Sequence, residues 1–252
     1  MHLGFLGTGK ITLSIIHGIL DSKLKVKKIY ISYRNKNISK KLSKRFKKVK
    51  ILKDNQEIIN KSNLVFLAVT PKVGSKILPA LKFNSSKKIV SLISTIKLKK
   101  IKQYTKNKKV TRVIPLPFIN MKKGPIIICP KDNQIKKFFN NLGTVIEVKN
   151  ENLSKSFWST SSFMASFYNL QYETSSWLVS KGIKKDKAEK YTKELFLALS
   201  ADAVNKNKTS LKQLVLESQT PGGTNAYVLQ ELKKKKFYKL QQKVLNSIFK
   251  KF

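Results

Sequence analysis

The sequence predicts an α/β protein in which a doubly wound sheet is followed by an all-α C-terminal domain. Over the first 150 residues, short and almost continuously apolar segments alternate with helical segments, as is typical of parallel strands covered on both faces. After residue 152, strand-like segments give way to helical periodicity. We therefore predict a boundary at residues 149–152, which divides the chain into domains of residues 1–150 and 151–252.

The individual elements follow from hydrophobic periodicity and from turn residues. The first strand begins at residue 2, and the later predicted strands are residues 28–33, 49–52, 64–69, 88–93, 110–114, 126–129 and 144–148. The main predicted helices are residues 10–21, 39–47, 134–141, 153–179, 185–205, 210–218, 222–234 and 237–252. The helix at 153–179 has few charges, so we expect it to be buried on most sides, partly against a second subunit.

Composition limits the class of protein. With 252 residues, 41% of them hydrophobic, the chain is long enough to bury a sizeable core. It has no apolar run of 18 residues for a membrane span and no room for a leader before the first strand, so we expect a cytoplasmic protein that does not bind membranes. Cys129 is the single cysteine and His2 and His17 are the two histidines, so neither a disulfide nor a metal site is expected.

The net charge of +40 would attract nucleic acid or an anionic membrane if it were concentrated on one surface. The lysines are instead spread through every segment, in the company of many Ile, Asn and Ser residues, which resembles the residue bias of an AT-rich genome. No helix-turn-helix, zinc-finger or aromatic RNA-binding signature is present. We therefore expect no nucleic-acid partner, although the charge favours anionic ligands such as a phosphorylated cofactor.

Glycines directly after the first strand carry the most informative motif. Gly7-x-Gly9-x-x-Thr12 lies between a strand and a helix and fits the Rossmann fingerprint, with threonine at the third position. The first glycine allows the tight turn, and the second lets a pyrophosphate approach the backbone. The predicted cofactor-binding residues here are Gly7, Thr8, Gly9, Lys10 and Ile11.

The end of the second strand indicates which dinucleotide is preferred. Sites that prefer NAD carry an acidic residue about 20 residues after the glycines, to bind the adenosine ribose. This sequence has no acid at residues 32–36, and Arg34 offers a guanidinium for a 2′-phosphate. Ser32, Asn35 and Lys36 add hydrogen-bond donors. We predict NADPH in preference to NADH; the alternative is that Arg34 is one more exposed basic residue.

A second anion site is predicted in the helical half, at Thr220-Pro221-Gly222-Gly223-Thr224-Asn225. Here we expect a hydroxyl at the helix N-cap and proline at the first helical position, with two glycines that leave the backbone uncovered. Free N–H groups and the positive end of the helix dipole would hold a carboxylate. The alternative is a well-capped helix without a ligand.

Read together, these motifs resemble the pyrroline-5-carboxylate reductase family over nearly the whole chain. The resemblance is carried by the first glycine motif, by Leu67-Ala68-Val69-Thr70-Pro71, by Arg112-Val113-Ile114-Pro115 and by Thr220-Pro221-Gly222-Gly223-Thr224. It implies a homodimer interlocked through the helices, often assembled further, that reduces 1-pyrroline-5-carboxylate to proline. It further implies that Ala68, Val69, Thr70 and Pro71 bind NADPH, that Thr220, Pro221, Gly222, Gly223 and Asn225 hold the carboxylate of the imino acid, and that the Thr224 hydroxyl acts at the substrate.

Several positions depart from the family pattern. Thr70 replaces a lysine, Leu116 replaces an asparagine, and Ser161-Ser162-Phe163-Met164-Ala165 replaces a Gly-Ser-Gly-Pro-Ala segment. The chain could therefore reduce another imine or a keto compound, or bind a dinucleotide without turnover. A β-hydroxyacid dehydrogenase is disfavoured, because its Lys-x-x-x-Asn pair appears here as Lys155 and Ser159.

Overall fold

We describe the protein from a computed structural model that covers residues 1–93 and 95–251. The chain divides into two compact units, Met1–Trp158 and Ser159–Phe252. The division falls within one helix, Glu151–Ser161. The boundary of functional domains at residues 149–152 remains a prediction.

The first unit contains an eight-stranded sheet of the doubly wound kind. Its strand order is β3-β2-β1-β4-β5-β6-β7-β8, and all neighbours are parallel except β6 and β7, which are antiparallel. The order reverses between β1 and β4, as in dinucleotide-binding sheets. The strands are β1 (His2–Leu6), β2 (Lys28–Ser32), β3 (Val49–Leu52), β4 (Leu64–Leu67), β5 (Lys88–Ser91), β6 (Val110–Ile114), β7 (Pro125–Cys129) and β8 (Thr144–Glu147).

Seven helices accompany this sheet: α1 (Lys10–Leu20), α2 (Lys36–Arg45), α3 (Asn55–Lys61), α4 (Pro71–Ile77), α5 (Leu98–Thr105), α6 (Asn133–Phe139) and α7 (Glu151–Ser161). Short 3-10 turns occupy Leu78–Ala80 and Pro117–Met121. α2 begins three residues earlier than predicted, because the Asn35 side chain accepts a hydrogen bond from the amide of Ile38 and caps the helix there.

Alternate residues along the strands form two hydrophobic clusters, one on each face of the sheet. Phe5 and Phe66 belong to the first cluster and stack with ring centroids 4.3 Å apart, while their neighbours Leu6 and Leu67 belong to the second. Burial on both faces explains why these strands are almost continuously apolar.

A buried ion pair joins β6 to the first turn of α7. Arg112 is 5% exposed, and its guanidinium donates to Glu151 Oε1 over 2.5 Å and to the carbonyl of Ile96. Both carboxylate oxygens of Glu151 also accept from the amide of Leu98, at the start of α5. Burial lowers the pKa of Arg112, and the charge of Glu151 opposes that shift.

The second unit is helical: α8 (Met164–Ser180), α9 (Lys185–Asn205), α10 (Leu211–Glu217), α11 (Thr224–Lys234) and α12 (Phe237–Phe249). The single helix predicted at 153–179 is wrong, because the chain turns at Ser162 and Phe163 between α7 and α8. The last residue of the helix predicted at 237–252 lies outside the described residues.

The expectation that this segment is buried partly against a second subunit stays a prediction, because the structure describes a single chain. Tyr168, Tyr172 and Trp177 on α8 are 54%, 64% and 60% exposed. Aromatic side chains this exposed give α8 an apolar surface that the described residues of its own unit leave open. No helix among the described residues is long and apolar enough to span a membrane.

Candidate functional site

A cleft of about 630 Å³ opens at the carboxyl ends of β1 and β4, where the strand order reverses. Crevices at this point of a doubly wound sheet are where such folds bind their ligands. The cleft is lined by Gly7, Thr8, Gly9, Arg34, Asn35, Lys36, Asn37, Ala68, Val69 and Thr70. Of the residues predicted in this unit, Lys10, Ile11, Ser32 and Pro71 are not among its lining residues.

Gly7 is required by the geometry of the turn after β1. Its φ is +107°, a value that side chains rarely allow, and a Cβ placed there would lie 2.4 Å from the carbonyl oxygen of Ala68. The carbonyl of Gly7 accepts a hydrogen bond of 2.9 Å from the Thr12 hydroxyl. Thr12 thus has a structural role in the motif, because it ties the first turn of α1 back to the glycine turn.

Gly9 has a different role. It is the N-cap of α1, has no side chain to satisfy the amides of the first turn, and has nothing within 4 Å of the place a Cβ would occupy. The first hydrogen bond that returns to it comes from Leu13, so the amides of Lys10 and Ile11 remain open. The first turn contains no acidic residue. Bare amides at the positive end of a helix are suited to a phosphate.

The end of β2 separates into a buried and an exposed part. Ser32 is 6% exposed, and its oxygens accept hydrogen bonds from the amide of Gly7 and the hydroxyl of Thr8, so it supports the glycine turn from beneath. Arg34 is exposed at the cleft. Asn35 lines the cleft as well, although its side-chain oxygen is engaged in capping α2.

Lys36, which was expected to add a donor here, also lines the cleft, and so does Asn37, which was not among the predicted site residues. They lie in the first turn of α2, which starts earlier than its periodicity indicated. The capping signal of Asn35 would have identified this helix start.

The turn after β4 supplies the third wall of the cleft. Thr70 is the N-cap of α4, yet its hydroxyl makes no capping hydrogen bond, and it is exposed toward the cleft. Pro71 occupies the first helical position, where its missing N–H costs nothing. The Thr70 hydroxyl is therefore available to a ligand in the place where the family pattern has a lysine.

The second predicted anion site has a different local structure from the one expected. α11 begins at Thr224 with Gly223 as N-cap, so the prediction of a hydroxyl cap followed by Pro221 at the first helical position is wrong. Thr220 to Gly223 form a turn in which the amide of Gly223 donates to the carbonyl of Thr220 over 2.8 Å. Gly222 has a φ of +72°, which a helix cannot contain.

The start of α11 is not covered by a side-chain cap. Gly223 provides no side-chain cap, and the first hydrogen bond to its carbonyl comes from Tyr227. The side chain of Asn225 donates to the carbonyl of Ser218 over 3.2 Å and fixes the turn, while Thr224 is exposed. The amides at the start of α11 are therefore open to an anion.

His17 and Cys129, the other side chains that could take part in chemistry, are packed against apolar neighbours. His17 packs edge-on against Phe46, and burial lowers its pKa. Cys129 is buried in the second hydrophobic cluster, and this burial raises the pKa of its thiol. Within residues 1–93 and 95–251, no group of His, Cys, Asp and Glu could hold a metal ion.

Comparison with known proteins agrees with this two-part organisation. Residues 2–97 match the model described as NADP oxidoreductase coenzyme F420-dependent, and residues 151–252 match the model for pyrroline-5-carboxylate reductase dimerisation. A curated pyrroline-5-carboxylate reductase from Staphylococcus haemolyticus is 25% identical over 244 residues, which are 89% of this chain and 86% of that protein.

Solved structures share the fold. That of 1-pyrroline-5-carboxylate reductase from Streptococcus pyogenes has a TM-score of 0.84 at 20% identity and covers 100% of this chain and 97% of its own. The Plasmodium falciparum pyrroline carboxylate reductase, crystallised with NADP bound, has a TM-score of 0.82 at 20% identity, with 100% and 96% coverage.

A doubly wound sheet with a bare glycine cleft, joined to a helical unit, defines an oxidoreductase of the dinucleotide-dependent class. Within that class of oxidoreductases, the match of residues 151–252 to the dimerisation model points to relatives of pyrroline-5-carboxylate reductase. Together, the two matches, the curated relative and the solved structures support a member of the pyrroline-5-carboxylate reductase family.

Proposed function

We propose that the protein uses NADPH to reduce a cyclic imine, and that its substrate is 1-pyrroline-5-carboxylate, which becomes proline. The observation that carries this proposal is the cleft at the carboxyl ends of β1 and β4, which is lined by Gly9, the bare N-cap of α1, and by Arg34. Similarity to the pyrroline-5-carboxylate reductase family suggests the class of reaction. The substrate is the finer part of the proposal, because the curated relative is only 25% identical.

The residues of the cleft fit a dinucleotide. At Gly9 the backbone is uncovered, so a pyrophosphate could approach the amides of α1 without meeting a side chain. Arg34 is exposed, and residues 32–36 contain no carboxylate to repel a 2′-phosphate. These two features favour NADPH over NADH.

When bound, the nicotinamide supplies the hydride. The protein binds and orients: the open amides of α1 hold the pyrophosphate, Arg34 holds the 2′-phosphate, and Thr70 offers a hydroxyl on the β4 side. Solvent can protonate the imine nitrogen, since a protonated imine is the better hydride acceptor. Catalysis is then mainly a matter of positioning. Neither histidine lines the cleft, which matters less for a protonated imine than for a ketone, whose oxygen needs a proton donor.

We assign the substrate carboxylate to the turn in the second unit. The open amides at the start of α11 and the left-handed Gly222 give a carboxylate direct access to the backbone. Thr220, Pro221 and Asn225 hold the shape of this turn, and Thr224 presents a hydroxyl to the substrate.

We further propose a homodimer formed through the second unit. The match to the dimerisation model covers residues 151–252, and α8 exposes Tyr168, Tyr172 and Trp177 in the single chain. A second copy would bury this apolar surface and supply the burial that the sequence of this segment leads one to expect.

The direct test is the oxidation of NADPH by the purified protein, followed at 340 nm, with pyrroline-5-carboxylate as acceptor. We expect saturable turnover with formation of proline. A panel of other cyclic imines and keto acids, assayed in parallel, measures whether kcat/KM is highest for pyrroline-5-carboxylate.

Binding must be measured alongside turnover. NADPH at 100 times its Kd should stabilise the protein by about 2.7 kcal/mol, which a thermal melt detects. Binding without turnover of any acceptor would contradict the enzymatic proposal and favour a dinucleotide-binding protein. Turnover of another imine or a keto acid alone would contradict the assigned substrate.

A further inference from the structure

A second cavity, of about 620 Å³, lies at the opposite edge of the same sheet. It is bounded by the amino ends of parallel strands, at Leu64 on β4 and Lys88 on β5, and by Lys109 just before β6. The dinucleotide cleft lies at the carboxyl ends of these strands. The two cavities are therefore separate, and their volumes of about 620 and 630 Å³ both fall in the range of small-molecule sites.

The floor of this cavity is apolar and rigid. Leu64, Ile135 and Phe138 line it and are 7%, 1% and 5% exposed, because all three belong to the hydrophobic cluster on that face of the sheet. Little of these core side chains is open, so a ligand would contact only their outer edge, with Met1 and Leu24 as further apolar lining.

The walls are cationic. Lys87 is half-buried, and its Nζ donates to the carbonyls of Asn60 and Ser62 over 2.8 and 2.7 Å, which fixes the ammonium and leaves its third hydrogen free. Burial lowers the pKa of Lys87. In the part of the chain that the structure describes, Lys87 has no ion pair.

The other three lysines of the cavity differ in their partners. Lys88 is neutralised, because its Nζ lies 2.8 Å from both carboxylate oxygens of Asp132. Lys109 and Lys137 line the cavity without an ion pair among the described residues. Three cationic groups thus surround the apolar lining, and no acidic side chain among the described residues lines the cavity.

We propose that this cavity is a second ligand site, which binds a small organic anion with its apolar body on Leu64, Ile135 and Phe138 and its carboxylate or phosphate among Lys87, Lys109 and Lys137. The site is independent of the reductase function proposed above. Its occupant needs both parts: an apolar body alone would leave the lysines uncompensated, and an inorganic ion would leave the floor empty.

The probe is 1-anilinonaphthalene-8-sulfonate, an apolar ring system with one anionic group, titrated by fluorescence with NADP at saturation so that the first cleft is filled. We expect one saturable component that Ser86→Trp removes, because Ser86 lines the cavity and the indole would fill it. Ser85→Trp is the matched control, since Ser85 is the exposed neighbour and does not line the cavity.

Charge is tested separately. The double variant Lys109→Gln/Lys137→Gln should weaken probe binding about tenfold. The control is Lys40→Gln/Lys99→Gln, which removes the same charge from exposed positions outside the cavity. A titration that is unchanged by both Ser86→Trp and the cavity double variant overturns the proposal, whatever the protein does with NADPH.

Displacement identifies the anionic group. Phenyl phosphate and benzoate each combine a benzene ring with one of the two candidate groups, and phenol is the neutral control. Displacement of the probe by either anion and not by phenol supports the proposal and shows which group is preferred. Equal displacement by phenol, or displacement by neither anion, overturns it.

Discussion

The amide of Gly7 donates a hydrogen bond of 3.0 Å to the hydroxyl of Ser32, and both residues are buried. The Thr8 hydroxyl donates to the Ser32 carbonyl over 2.6 Å. The end of β2 therefore holds the glycine turn after β1 in place. In this structure Ser32 supports the residues that line the cleft and does not line it; its predicted contact with the cofactor stays a prediction.

Ser32→Ala should weaken NADPH binding without removing any lining residue. The buried amide of Gly7 would lose its acceptor, which costs about 1–3 kcal/mol of unfolding free energy. We expect a lower Tm and a Kd for NADPH raised several-fold, measured by melting and by fluorescence titration. Ser43→Ala is the control, because Ser43 is a partly exposed serine on α2 that does not line the cleft. A normal Kd in Ser32→Ala would show that the turn does not need this support.

Gly9→Ala should separate folding from cofactor binding. Nothing in the protein lies within 4 Å of the added methyl group, so the fold should lose no more than about 1 kcal/mol. The methyl group would occupy the place where the pyrophosphate meets the amides, and we expect a strong loss of NADPH affinity. Gly7→Ala is the contrast: its methyl group would meet the Ala68 carbonyl at 2.4 Å, so it should destabilise the fold itself. Full NADPH affinity in Gly9→Ala would place the dinucleotide elsewhere.

Arg34→Asp should reverse the cofactor preference toward NADH. Losing a charge-assisted contact worth about 1.5–3 kcal/mol corresponds to a roughly 10- to 100-fold lower affinity for the 2′-phosphate. The added carboxylate would accept from the ribose hydroxyls of NADH. The measurement is the ratio of kcat/KM for the two cofactors, with the exposed Lys40→Asp as a control of equal charge change. An unchanged ratio in Arg34→Asp would show that Arg34 does not bind the 2′-phosphate of NADPH.

Gly223→Val should abolish turnover while NADPH binding persists. A Cβ at Gly223 would lie 3.0 Å from the Thr220 carbonyl, so the turn would shift and the valine would cover the amides of α11. We expect kcat/KM for the imine to fall at least about 100-fold, the cost of two charged hydrogen bonds. Gln230→Val, at an exposed position of the same helix, should stay active. Retained activity in Gly223→Val would remove this turn from the substrate site.

Asp132→Asn should remove the part of the free energy of unfolding that the parent protein loses in acid. Burial raises the pKa of Asp132, but the hydrogen bond and charge of Lys88, with the amides of Ile135 and Gln134, outweigh it and hold the pKa below 3.8. A carboxyl group whose pKa is lower in the folded protein than in the unfolded chain stabilises the fold at pH values above its unfolded-state pKa. This stabilisation is lost as the pH falls through the folded-state pKa.

At pH 7 we therefore expect the free energy of unfolding of Asp132→Asn to be about 1 kcal/mol lower than that of the parent. The difference should shrink as the pH falls below 3.8, when the parent carboxyl is protonated too. Denaturant unfolding at several pH values measures it. Asp202→Asn breaks an exposed pair on α9 and serves as the control. A pH-independent difference would mean that the ion pair with Lys88 is not its cause.

Much of the fold could be predicted, because parallel strands buried on both faces leave a local signature. β3 and β6 have the predicted bounds, and the other strands differ by a residue or two at their ends. The antiparallel direction of β7 leaves no such signature, since a buried strand is equally apolar in either direction. The break between α7 and α8 was missed for a similar reason: neither proline nor glycine marks it.

The cleft was predicted from residues that are far apart in sequence. Gly7, Arg34 and Thr70 line one cavity because the carboxyl ends of neighbouring parallel strands meet at one edge of the sheet. The pattern could not distinguish residues that face the cleft from those that support it, as Ser32 illustrates. That distinction depends on which neighbour each hydroxyl meets.

By itself the sequence determined the class of fold, the place of the glycine turn, the absence of an acid at the end of β2 and the resemblance to one family, because each of these lies in a short run of residues. Tertiary structure alone decided that Ser32 is buried beneath the turn, that α11 starts at Thr224, and that lysines from separate loops surround an apolar cavity at the far edge of the sheet. These features depend on contacts between distant segments, and burial and hydrogen-bond partners exist only once those segments have packed together.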